Sequence, residues 1–146
     1  MNIEKILRTE TILLTEIDRL DPISIYIENI DYTSAKVTVT CFGRAWHAYW
    51  GGCDGDAKEF MSGCDVDYIA NCMWDHRNNQ NPIDWDKVGE MVGESDICEN
   101  SWFYYLDKIT DSELELHDLP TKTCDDYLYL KRIVNAVIEW AKTDNN

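Results

Sequence analysis

ISIYIENI, residues 23–30, sets Ile23, Ile25 and Ile27 on alternate positions against Ser24, Tyr26 and Glu28. A period of two gives an extended chain one apolar and one polar face, so the pattern predicts a half-buried strand. Pro22 stands just before it, where a missing N–H costs least. AKVTVTCF (35–42) repeats the alternation, with Val37, Val39 and Cys41 against Thr38, Thr40 and Phe42. The polar DYTSA between the two reads as a hairpin loop. RAWHAYW (44–50) is a third strand, following Gly43, which reads as a bulge or bend. KILRTETILLTEI (5–17) alternates more weakly and is read as a first strand.

Beyond residue 55 the period changes. Asp56 and Glu59 form a capping-box pattern, with Gly63 as the stop. Asp65 opens VDYIANCMW, with Val66, Ile69 and Met73 three or four apart. NNQNP (78–82) is a break. IDWDKVGEMVG (83–93) predicts a short helix with Trp85, Val88 and Val92 on one face. Asp96 and Glu99 read as a second cap, opening ICENSWFYYLDKI. After Pro120, Tyr127, Leu130, Val134, Val137 and Ala141 mark the longest helical stripe, over Asp125 to Lys142, with Thr123 and Asp126 as caps. These elements predict one α+β domain over 1–146: an antiparallel sheet of three to four strands, then helices packed on one face, the last of them long. Residues 76–124 read as an acidic insertion-like segment within it.

Charge sharpens this picture. The chain carries a net charge of −15, and residues 84–126 hold 13 Asp or Glu against 3 Lys. Such a surface repels nucleic-acid phosphates and anionic membranes, because counterion release requires Lys and Arg. No apolar run approaches the ~20 residues a membrane span needs. Six cysteines, at 41, 53, 64, 72, 98 and 124, could form three disulfides. MNIEKILRTE has no apolar segment of the secretory kind, so the expectation is reduced, mostly buried thiols in a cytosol.

Candidate chemistry is sparse. CDGDAKEF fails as a calcium loop, since Lys58 stands where an oxygen ligand is needed and the glycine comes second. Cys64, Cys72 and His76 have spacings open to a metal, and Cys72 and His76 could share a helix face. No C-x-x-C accompanies them, so single thiols are the better reading and no metal or cofactor is expected. Cys53 with His47 lacks any signature of a nucleophile pair. Gly51, Gly52 and Gly55 fit no phosphate loop. In strand 44–50, Trp46, Ala48 and Trp50 share one face, and Ala45, His47 and Tyr49 the other. Aromatic bulk on both faces predicts a sandwiched strand or a ligand patch of Trp46, His47, Tyr49 and Trp50, with core packing favoured.

VTVTCFGRAWHAYWGG, EFMSGCDVDYIANCMW and YLKRIVNAVIEW together resemble a family of small proteins encoded by tailed bacteriophages and prophages, which share CFGxAWxAYWGG and CDxDYIAN motifs. The resemblance implies an accessory gene product in the host cytoplasm, and it implies no catalytic residue. Joined to the charge, it leads to an expected function: a non-enzymatic protein whose acidic surface binds a basic, nucleic-acid-binding host protein or complex, with carboxylates in place of phosphates. An anti-CRISPR or anti-restriction inhibitor is one form of this. Asp111, Glu113, Glu115, Asp118, Asp125 and Asp126 are the expected contact residues, with no direct nucleic-acid or membrane binding. The alternative is a small-ligand-binding or enzymatic domain built on Trp46, His47 and Tyr49.

Overall fold

The computed structural model describes residues 1–3 and 9–143. Four strands form one antiparallel sheet in sequence order: β1 (Thr9–Leu14), β2 (Ile23–Asn29), β3 (Ala35–Cys41) and β4 (Arg44–Trp50). Of the expected first strand, residues 5–8 lie outside the described residues. Its far end stops at Leu14, and Glu16 and Arg19 turn the chain with φ of 59° and 56°.

The register explains the core. Ile25 lies opposite Val39, and Ile27 opposite Val37, so the apolar positions of both strands fall on one face. All four are buried, as are Trp46, Ala48 and Trp50 of β4. Each of the four Ile and Val side chains contributes about 1.5–3 kcal/mol on leaving water. Asp31 organises the β2–β3 loop: its Oδ1 accepts from the N–H groups of Thr33 and Ser34, both at 2.8 Å. Gly43 is not a bulge. Phe42 and Gly43 take φ of 48° and 73° between the paired Cys41 and Arg44. Two successive positive φ values mark a type I′ hairpin turn, whose twist matches the strands it joins.

The helices follow their caps. Asp56 accepts from the Glu59 N–H at 3.1 Å to open α1 (Ala57–Ser62), and Asp65 accepts from Tyr68 at 2.8 Å to open α2 (Val66–Met73). Asp84 does the same for α3 (Trp85–Val92), which ends on Gly93 with φ 75°. The Asp96–Glu99 cap does not form. There the chain stays irregular, the Asp96 carbonyl accepts from the Ser101 hydroxyl, and a 3-10 helix (Trp102–Tyr105) leads into α4 (Leu106–Asp111). α5 runs Asp125–Ala141, and every residue of its expected stripe is buried. The architecture is α+β, with a long C-terminal helix.

Two compact units divide the chain: Met1–Asp75 with Asp126–Asn146, and His76–Asp125. The first contains the sheet, α1, α2 and all but the first residue of α5. The second packs Val88, Ile97, Ile109 and Leu119 into its own small core. Its two ends run antiparallel, with a bridge between Ile83 and Thr121 and a bond from Lys122 N–H to the Pro82 carbonyl. Six cysteines are free thiols; Cys41 and Cys53 are buried, Cys72 and Cys98 exposed. The expectation of mostly buried thiols is corrected: α2 turns Cys72 outward, and Cys98 lies in the irregular stretch before Trp102.

Candidate functional site

β4 separates the expected ligand patch into two halves. The pleat sends Trp46 and Trp50 into the core, at 7% and 6% exposure, while Tyr49 stands 62% exposed on the other face beside His47. β4 is an edge strand with one covered face, so the expected sandwich is not formed. Behind the sheet, the Trp46 ring meets Tyr129 at 6.1 Å and Trp50 meets Phe60 at 5.4 Å. The Tyr129 hydroxyl lies 3.2 Å from Cys41 Sγ, and that contact is the main cause pushing Tyr129 up to about 12. Cys53 and His47 make no nucleophile pair: Cys53 is buried, its thiol directed at the Trp50 carbonyl, and His47 is exposed on the opposite face. Cys72 and His76 do not share a helix, because α2 ends at Met73.

The acidic segment folds for a simple reason. Leu114 and Leu119 turn into the core of the second unit, and the residues between them must turn out. Glu113, with φ 59°, Glu115, His117 and Asp118 are all exposed, the last two in a 3-10 turn (Leu116–Asp118). His117 Nε2 sits 3.1 Å from Glu115 Oε2 and 3.5 Å from Asp118 Oδ2. Among the described residues this trio is the one set of three His, Cys, Asp or Glu side chains close enough to share an ion. Asp111 ends α4, and Asp125 starts α5, where the helix dipole favours a carboxylate. Asp126 is engaged within the fold, accepting from Arg44 Nη1 at 2.8 Å. Five of the six expected contact residues therefore face solvent without a Lys or Arg partner among the described residues, and Asp126 has one.

Aromatic residues of the same unit carry a signal that charge counting missed. Phe103 and Tyr104 are 51% and 78% exposed in the same unit. Trp85 and Trp102 stack nearly parallel, 12° apart with centroids at 6.1 Å. The sequence places Trp85 on a helix face and Trp102 in WFYY, and the density of aromatics in a charged stretch was the available clue.

A family model described as a phage family, Phage_phiTE_072, matches residues 1–142. The chain belongs to this phage family. No curated protein and no solved structure matches it. Among the described residues of this phage protein, no helix is long and apolar enough to cross a membrane.

Proposed function

We propose that this phage protein binds a basic host protein through the acidic face of its second unit, in the host cytoplasm. The observation that supports the reading is the company the carboxylates keep. Residues 76–125 hold 12 Asp or Glu against 4 Lys or Arg, and the same unit exposes Phe103 and Tyr104. Phe103 and Tyr104 are neighbours, with ring centroids 4.1 Å apart, so they form one exposed aromatic pair in that unit. Aromatic centres inside a charged rim are the composition of a protein interface. A partner that normally holds phosphates would meet carboxylates here, and release of counterions from both surfaces would favour the complex. Inhibition of a CRISPR or restriction complex by nucleic-acid mimicry is the specific form we propose. The small-ligand or enzymatic alternative is less favoured, because Trp46 and Trp50 lie behind the sheet.

The test is capture from host lysate, then kinetics with the purified partner. Binding should weaken steeply with salt, and double-stranded DNA or RNA should displace the partner. Neutralising Glu113→Gln, Glu115→Gln and Asp118→Asn together should slow association and flatten its salt dependence. An association rate unchanged across the salt series in that triple variant would refute the reading.

A further inference from the structure

Pro82, Ile83, Trp85, Trp102 and Leu116 line a hollow of about 380 Å³ in the second unit, with Glu99 at its wall. The volume is at the small end of ligand pockets, which run about 300–1,000 Å³. Its chemistry is unusual for a packing defect. Two half-buried indoles lie stacked against each other, and the one ionisable group lining the hollow is a carboxylate. Glu99 is exposed and has no ion-pair partner among the described residues. The surrounding unit is net negative by eight charges. Every electrostatic feature of the hollow therefore favours a cation, and its walls favour a flat one.

We propose that this hollow is the anchor point of the acidic surface and takes the guanidinium of an arginine on the basic partner. The proposal rests on the partner-binding reading above. Guanidinium is planar, weakly hydrated and stacks on aromatic faces, and tryptophan is the best aromatic partner for a cation. Its N–H groups match a carboxylate such as Glu99. Lysine offers the charge without the plane. An aromatic pocket filled by one arginine is the composition of an interface hot spot, and this one lies in a unit with 12 Asp or Glu against 4 Lys or Arg.

The experiment follows the six indole N–H signals of the full chain while acetyl-Gly-Arg-Gly-amide is titrated into the millimolar range. The citrulline peptide, flat but uncharged, and the lysine peptide are run beside it. Trp85→Phe and Trp102→Phe assign the two signals. Those two should move with the arginine peptide while the other four stay. The citrulline and lysine peptides should bind at least about tenfold and about threefold more weakly. Glu99→Gln, an exposed change, should weaken arginine about three- to tenfold. Equal binding of citrulline, equal binding of lysine, or an unaffected Glu99→Gln would each overturn the proposal, as would stronger shifts with a proline-rich peptide lacking arginine. The triple variant at 113, 115 and 118 tests the broader reading separately. If that variant binds the partner normally while the indoles still respond to arginine, the acidic-segment reading fails and the pocket stands. If the indoles ignore arginine but the triple variant loses salt-dependent binding, the reverse holds.

Discussion

Arg44 and Asp126 are 82 positions apart in the chain and joined by a 2.8 Å hydrogen bond from Nη1 to Oδ1. The same guanidinium lies 5.0 Å from the Trp46 ring centroid and 5.8 Å from that of Tyr129. One side chain thus ties the start of β4 to the first turn of α5. The ion pair is solvent-exposed, so Asp126→Asn should cost about 0.2–1 kcal/mol, and less in high salt. Arg44→Ala also removes the stacking on two rings and should cost more, about 1–2 kcal/mol. Urea denaturation of the two variants at low and high salt checks the order. Equal losses would mean that the ring contacts contribute nothing.

Trp46 and Trp50 fill the space between sheet and helices. Truncating either to Ala should destabilise the fold by about 3–5 kcal/mol, the cost of emptying a large buried site. Tyr49→Ala, from the open face of the same strand, should change stability by no more than about 1 kcal/mol. Thermal melts of the three variants decide. If the tryptophan variants melt like the parent, β4 does not carry the core.

Asp31 makes the β2–β3 loop sensitive to acid. Its carboxylate accepts from Thr33 and Ser34, with the Thr33 N–H the largest cause, and is held at about 2 against an ordinary 3.8. The folded pKa lies below the unfolded one. The loop's contribution is therefore complete above about pH 4 and is lost as pH falls toward 2. Melting temperatures between pH 5 and 2 should fall more steeply in the parent than in Asp31→Asn, which cannot titrate. Parallel slopes would remove the assignment.

Thiol reactivity should follow burial and hydrogen bonding. Cys98 is exposed, and its thiol is lowered first by the Ser101 hydroxyl, 3.3 Å away. Cys64 is raised by burial, then by Asp65 and Cys72. With Ellman's reagent near pH 7.5, Cys98 should react first, Cys72 next, and Cys41 and Cys53 only on unfolding. Six thiols should be counted in the denatured chain. A fast phase that persists in Cys98→Ser would contradict the order.

Local patterns determined much of this protein. Period-two alternation located β2 and β3, because one face of each strand had to be apolar, and β4 was read as the strand that follows Gly43. Asp56 and Asp65 announced α1 and α2 through caps that need only residues three apart. The stripe from Tyr127 to Ala141 marked α5, since one side of a long helix must be buried. The 84–126 charge excess was visible in composition alone. Tertiary structure decided the rest, because the deciding contacts join residues distant in sequence. The alternation on β4 showed which aromatics share a face but not which face the helices would cover; α5 settled that through Tyr129 and Asp126. Asp126 read as one more acid of a cluster until Arg44 claimed it. Asp96 looked like a cap, yet the chain that followed had no helix for it to open. Trp85 and Trp102 lie 17 residues apart in a stretch without clear period. Their stacking depends on how Ile97, Ile109 and Leu119 close the second core, which no local pattern specifies.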